Sequence, residues 1–242
     1  MFSILMLHYG ENQVEMTCSA IETIKQNTIG EYELLVWVNG GVQEKSNEEL
    51  ADRHEYVLGT EERVGLARAY NAAANYLKGD VICVLHNDCF VEAGWDAPLE
   101  EVALEGHVAF PVVKENPQIA AARGVPAVPE WMPPSCCFAI SREKLEKLGG
   151  WDEQFEFCHF EDMDLFQRAK LAGMRLIQVP GTVFHLRGVT RADQADAANE
   201  AFKVNEKRYA LKHGKREENK ISYPLPVLEL LEAKEDINVT IH

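Results

Sequence analysis

Val81-Ile82-Cys83-Val84-Leu85 runs without interruption into His86-Asn87-Asp88. Five consecutive apolar residues, bounded by Gly79-Asp80 on one side and polar residues on the other, suit a strand covered on both faces. Three shorter runs of the same kind lie upstream, at Phe2–Leu7, Leu34–Val38 and Tyr56–Leu58. Helical patterns separate them. Val14, Cys18, Ile21 and Ile24 recur at spacings of three and four, as do Val64, Ala67, Tyr70, Ala74 and Leu77. Strands alternating with helices predict βαβ units, hence an α/β fold with a mostly parallel central sheet and helices on both faces. In such sheets ligands bind beyond the carboxyl ends of the strands, and Asp88 falls there. An Asp in that place suits a cation bridging a diphosphate. The competing reading is an Asn-Asp turn leaving the strand.

The second half changes rhythm. Pro111 to Pro134 is rich in proline and reads as a long irregular segment. A strand follows at Cys136–Ile140, then a helix capped by Ser141, and a second helix over Glu161–Ala172 closed by Gly173. A strand at Met174–Val179 is expected to end at Pro180-Gly181, and a third helix spans about 193 to 212. The remainder, from Lys215 to His242, is acidic and reads as an extended arm.

Charge sets limits on partners. The chain has 242 residues, with 24 Lys and Arg against 39 Asp and Glu, a formal charge of −15. That balance argues against nucleic acid and anionic membrane, whose phosphates need basic residues. An anionic small substrate stays open, because carboxylates holding a divalent cation present a positive site on a negative protein. No stretch is long and apolar enough to cross a bilayer, and Met1–Leu7 lacks a basic flank, so a cytoplasmic location is expected. The six cysteines show no CxxC pair and no regular spacing, which predicts free thiols in a reducing compartment. Asn238-Val239-Thr240 matches a glycosylation acceptor and is read as a chance match.

Three further constellations carry chemistry. Glu161, Asp162 and Asp164 crowd one helix start, where the macrodipole favours acids. Phe155, Phe157 and Phe160 flank them, and a carboxylate desolvated by aromatics gains a raised pKa suited to a general base. Asp164 and Arg168, four apart, read as a structural pair. His185 follows a strand and turn as Asp88 does; His with Asp suits Mn2+ or Mg2+, although a lone His in an apolar run is more often a core residue. Gly65 to Asn71 opens a helix whose backbone N–H groups and Arg68 could meet phosphate, without being a P-loop or GxGxxG.

In order along the chain, these residues resemble a family 2 glycosyltransferase of the GT-A fold. The resemblance is carried by Leu148-Gly149-Gly150-Trp151-Asp152-Glu153 and Phe155, then Phe160-Glu161-Asp162-Met163-Asp164-Leu165, Arg168, Ala172-Gly173, Val179-Pro180 and His185. Upstream it rests on Gly65–Ala69, Asn71, Gly79-Asp80 and Asn87-Asp88, and it covers about residues 1 to 190. It implies a catalytic domain over 1–190, with a nucleotide-sugar half at 1–90 and an acceptor half at 91–190. Residues 191–242 would be a C-terminal helix and tail packed on that domain.

The resemblance also implies roles. Asp88 and His185 would bind the metal, Mn2+ or Mg2+. Asp162 would be the general base, with Glu161 beside it. Trp151 and Asp152 would line the sugar or acceptor pocket. Asn39, Gly40, Gly65, Arg68, Asn71, His86 and Asn87 would lie along the donor, a nucleotide-diphosphate sugar, with a UDP-sugar favoured. The acceptor would be a glycan or other hydroxyl, and transfer would invert the anomeric centre.

Two positions depart from the pattern: Val38 stands where the family usually has an acid near the nucleotide base, and His86 replaces the first acid of the DxD motif. A nucleotidyltransferase would need a Gly-rich basic loop after the first strand, where this chain reads His8-Tyr9-Gly10-Glu11-Asn12. An inactive sugar-binding relic is the other alternative.

Overall fold

A computed structural model describes residues 1–8, 13–41, 45–54, 56–116, 118, 132–186, 195–217, 220–222, 226 and 228–230. Strand β1 (Phe2–His8) lies between β2 (Tyr32–Asn39) and β4 (Val81–Leu85), parallel to both, and β3 (Val57–Thr60) continues the parallel run beyond β2. Helices α1 (Val14–Asn27), α2 (Lys45–Arg53) and α3 (Leu66–Ala74) connect these strands. The remaining elements are β5 (Cys89–Val91), α4 (Asp96–Leu104), β6 (Val108–Glu115), β7 (Cys137–Ser141), α5 (Arg142–Leu148), α6 (Glu161–Leu171), β8 (Leu176–His185), α7 (Ala195–His213), β9 (Lys215–Glu217), β10 (Lys220–Ser222) and β11 (Glu229–Leu230). The main sheet runs β11-β8-β6-β7-β4-β1-β2-β3, with β5 paired to β8. Within that order only β7 opposes its neighbours, so the sheet is mostly parallel as expected.

The apolar strands read as continuous because both faces are covered. On β1, Ile4 and Met6 join the layer under α1 and α4 with Trp95 and Leu99, while Leu5 and Leu7 join the layer under α3 and α6 with Phe138 and Phe166. Phe166 meets Phe110 and Phe138 edge-on, with centroids 5.1 and 4.9 Å apart. Such pairs contribute about 0.5–1.5 kcal/mol each beyond burial.

Two expectations about proline are corrected. β6 does not stop at Pro111, and β8 does not end at Pro180-Gly181. The two parallel strands pair Phe110 with Gln178 and Val112 with Thr182, so Val179-Pro180-Gly181 stands opposite Pro111 alone. The bulge takes up the prolines, which lack a ladder N–H, and both strands continue past it. Gly181 makes the bend possible: its φ is +116°, and a Cβ there would lie 3.1 Å from the Trp95 backbone. Both strands therefore reach the sheet's carboxyl edge, where β8 ends at His185.

The C-terminal segment is more than an arm. β11 pairs with β8, Leu228 enters the core layer under α3, and Tyr209 of α7 packs with Phe155 and Phe160. No described helix is long and apolar enough to cross a membrane. Asn238-Val239-Thr240, the start of the third helix at 193 and most of the proline-rich segment lie outside the described residues.

Candidate active site

Strand register assembles a cluster at the carboxyl edge. β5 pairs with β8 so that Cys89 faces His185, and β6 pairs with β8 so that Glu115 faces His185. The Leu186 N–H donates to the Asp88 carbonyl at 3.0 Å, fixing the turn beside the strand end. His185 Nε2 lies 3.3 Å from Asp88 Oδ1, and its Nδ1 lies 3.4 Å from Glu115 Oε1. His86, Asp88 and His185 can each offer one ligand atom, all within 4.8 Å of one another. One carboxylate and two imidazoles leave positions for phosphate oxygens and water, which fits Mn2+ or Mg2+.

Electrostatics follow from burial. Desolvation alone would raise Asp88, but the hydrogen bond and charge of His185, with His86 nearby, hold it below the usual carboxylate range. Burial alone would lower His185; charge at Cys136 and hydrogen bonds to Asp88, Cys136 and Glu115 outweigh it and raise its pKa. His185 must give up that proton to ligate a metal.

The acidic helix start is built on an unusual loop. Phe157, His159 and Phe160 have φ of 64°, 75° and 70°, a left-handed region that non-glycine residues seldom occupy. Such conformations persist only where surroundings fix them. Here Asn205 of α7, fully buried, points its amide nitrogen at the carbonyls of Glu156, Cys158 and His159 at 2.9–3.0 Å. Leu66 N–H adds a bond to the Phe157 carbonyl at 2.8 Å. Replacing Asn205 by Ala is expected to cost about 1–3 kcal/mol, the penalty for stranding buried polar partners. Urea unfolding checks this; a loss within about 0.5 kcal/mol, the range of an indifferent surface change, would show that the loop holds itself.

Glu161 and Asp162 sit differently. Glu161 is buried, and its Oε2 has no hydrogen-bond partner among the described residues. Desolvation, with the Asp162 charge beside it, raises its pKa well above the usual value. The desolvation expected of this acidic group thus falls on Glu161. Asp162 is half-buried, and its Oδ1 accepts from the Met163 N–H at 2.7 Å. A carboxyl raised in the folded state binds a proton that the unfolded state releases. Its contribution is therefore full below the unfolded pKa and lost as pH rises through the folded one. Glu161→Gln should gain thermal stability relative to wild type on going from pH 5 to pH 8; an equal difference at both pH values would count against a neutral Glu161.

Several residues expected along the donor or in the sugar pocket make structural contacts. Asn39 closes a two-bond clamp on the Val64 backbone at 2.9 and 3.0 Å. Asn71 does the same to Trp151, at 2.9 Å each way. Asn87 donates to Gln13 Oε1 and Thr17 Oγ1 at 2.9 and 3.0 Å, tying the turn after β4 to α1. Trp151 is 2% exposed, with its ring stacked on Tyr70 at 5.0 Å. Asn39, Asn71 and Asn87 thus pair backbone groups and helix side chains that would otherwise go unpaired, and Asn71 also donates to Glu153 Oε1 at 3.0 Å.

Gly65 backs onto Phe157, where a Cβ would lie 2.9 Å from the backbone nitrogen, and Gly40, with φ +102°, packs on Arg63. Arg68 is exposed and pairs with Glu153 at 3.4 Å. His86 remains at the cluster, its Nε2 3.3 Å from the Tyr70 hydroxyl. Asp152 meets Lys212 at 2.6 Å. A cleft of about 350 Å3 opens over Gly149–Glu153, lined by Asp152, Arg168 and Lys212; Asp88 and His185 are not in its wall.

Sequence reasoning missed Glu115, Cys136 and Cys89 beside His185, and Asn205, Lys212 and His213 on α7. Glu115 lies within the segment read as irregular and Cys136 just after it, and the α7 residues carry no motif. The Cys89–His185 register is long-range, and nothing local signals it.

A mostly parallel sheet interrupted by the antiparallel β7, with the short antiparallel β5 beside β8 and His and Asp at its carboxyl edge, is the GT-A architecture. The family model for glycosyl transferase family 2 matches residues 3–147, more than half of the chain, and the chain belongs to that family. Similar solved structures include the mannosyltransferase PcManGT from Pyrobaculum calidifontis in complex with GDP-Man and Mn2+, at TM-score 0.60 and 18% identity, covering 89% of this chain and 65% of that one. GalNAc-T7 with UDP, GalNAc and Mn2+ matches at TM-score 0.60 and 18% identity over 78% of this chain and 44% of that one. TarS 1-349 from S. aureus matches at TM-score 0.57 and 12% identity over 76% and 60%. The chain thus spans between 44% and 65% of the length of these proteins. No curated protein sequence matches it.

Proposed function

We propose that this protein is a metal-dependent, inverting glycosyltransferase that moves a sugar from a nucleotide-diphosphate donor to an acceptor hydroxyl in glycan or polysaccharide synthesis. The observation that carries the reading is the convergence of His86, Asp88 and His185 within 4.8 Å at the carboxyl edge of a family 2 sheet. The neighbours solved with UDP or GDP-mannose and Mn2+ support a nucleotide-sugar donor and a divalent ion. A divalent cation held by Asp88 and His185, with His86 beside them, would neutralise charge building on the diphosphate leaving group.

The chain's own part is acid–base work and positioning. Asp162 accepts the proton of the acceptor hydroxyl. The acceptor oxygen then bonds to the anomeric carbon from the face opposite the departing diphosphate, as the bond to the phosphate oxygen breaks. No covalent enzyme intermediate forms. The α7 helix keeps the loop before Asp162 in its left-handed form through Asn205.

Product analysis with Mn2+ across UDP-, GDP-, dTDP- and CMP-sugars tests the reading. Release of nucleoside diphosphate supports it. Pyrophosphate release would make the protein a nucleotidyltransferase, and silence with every donor and hydroxyl acceptor would make it a sugar-binding relic. Asp88→Ala should weaken Mn2+ binding by more than about 10–100-fold, the loss typical of residues that only support a ligand. An unchanged Mn2+ titration would remove Asp88 from the metal site.

A further inference from the structure

The sequence offers six cysteines without spacing, and all are free thiols. The fold nevertheless brings two of them to one histidine. Cys89 opens β5 opposite His185, and Cys136 precedes β7, where its carbonyl accepts the His86 N–H at 2.8 Å. Cys89 Sγ lies 3.7 Å from that same carbonyl. Cys89 and Cys136 are 0% and 4% exposed, and one ligand atom from each of Cys89, Cys136 and His185 lies within 4.8 Å of the others. This set is distinct from His86–Asp88–His185 and shares only His185 with it.

We propose that Cys89, Cys136 and His185 form a second cation site, selective for a thiophilic divalent ion such as Zn2+, which competes with the Asp88 site for His185. The spacing suits it. Zn–S bonds of about 2.3 Å and Zn–N bonds of about 2.0–2.1 Å place tetrahedral ligands roughly 3.3–3.8 Å apart, within a short contraction of the observed cluster. Two thiols lose their protons on coordination, and the two thiolates balance the dication, so the buried set becomes neutral. Soft sulfur selects Zn2+ over the Mn2+ or Mg2+ suited to the carboxylate set. Three protein ligands leave a fourth position for water. The site itself requires no transferase activity; its competition with the Asp88 set rests on the metal reading given under Proposed function.

Titration of the metal-free full chain with Co2+ should produce sulfur-to-cobalt charge-transfer absorption that saturates at one ion per chain. That absorption should persist in Asp88→Asn and fall at least about tenfold in apparent affinity in Cys136→Ser and in Cys89→Ser. No such absorption in the wild type, or bands undiminished in both serine variants, overturns the site. Zinc-edge X-ray absorption of the wild-type protein needs no variant. Sulfur neighbours in the zinc shell support the site, and a shell of nitrogen and oxygen alone refutes it. By electron paramagnetic resonance, one equivalent of Zn2+ should release more bound Mn2+ from the wild type than from Cys136→Ser, where it can compete only at the Asp88 set. Equal release from both, or both ions held at once, ends the competition. Failure of Mn2+ to bind at all would sink the Asp88 reading and leave the cobalt bands as the measure of the thiol site.

Discussion

Asp162→Asn is expected to slow sugar transfer about 100- to 10,000-fold while leaving donor binding nearly unchanged. The range is that of a lost general acid–base group. Asn fills the same volume and can still accept from the Met163 N–H, so the loop and α6 should keep their shape. What disappears is the half-buried carboxylate that can take a proton from an acceptor hydroxyl. Glu161 is a poor substitute, because it is buried away from solvent and its burial, with the Asp162 charge beside it, favours its neutral form. The check is a pair of measurements on one preparation: donor affinity by calorimetry and turnover with acceptor. Normal turnover in Asp162→Asn, with collapse in Glu161→Gln, would move the base to Glu161.

Asp164→Ala should be the most destabilising single change in the acidic motif, at about 3–5 kcal/mol. Asp164 is fully buried. Its Oδ2 accepts from Arg168 Nε, and its Oδ1 faces both Lys212 Nζ and His213 Nε2, all at 2.7 Å. Arg168 also donates to the Leu148 and Gly150 carbonyls, which locks it in place when its anion is gone. Removing the carboxylate strands cationic groups away from water, and that desolvation is the origin of the cost. Lys212 is one-third exposed and recovers part of its hydration, so the burden falls on Arg168, while the buried His213 ring loses its hydrogen-bond partner. At roughly 2–4 °C per kcal/mol for a chain of this size, the melting temperature should fall by about 6–20 °C. A drop under about 2 °C would mean that the cations find other partners. Asp164→Asn, which keeps an acceptor, should lose less.

Asp164 also shows how the C-terminal helix serves the site. Its pairing with Arg168 was legible as a spacing of four on one helix. Its bonds to Lys212 and His213 were not, since those residues lie 48 and 49 positions away with no motif around them. Asn205 is the same case: an Asn in a helix interior looks like a weak helix former, yet its amide gathers the carbonyls of three loop residues. The acidic motif and the helix that holds it pack as one unit.

The apolar runs at Phe2–Leu7 and Val81–Leu85, and the helical spacing between them, specified the α/β class, because burying both faces of a strand leaves a continuous apolar signature. Ser141 as N-cap was also legible, with the Lys144 N–H donating to its hydroxyl at 3.4 Å, because capping is local chemistry. The prolines misled, since whether a missing N–H ends a strand depends on the neighbouring strand, and a bulge opposite Pro111 absorbed the loss. Asn39, Asn71 and Asn87 were recognisable as polar residues near strand and helix ends, but not as backbone and helix clamps, because a hydrogen-bond partner is chosen in three dimensions.

By itself, then, the sequence determined the strand–helix alternation, the placement of Asp88 after a strand, and the acidic helix start. Each is written in residues adjacent or one helical turn apart. That His185 lies within β8 was decided by the pairing of β8 with β6. Only the tertiary structure decided that Cys89, Cys136 and Glu115 meet His185, that Glu161 carries the desolvation, and that α7 fixes the loop before Asp162. Those outcomes depend on strand register and burial, and both are set by contacts between segments far apart in the chain.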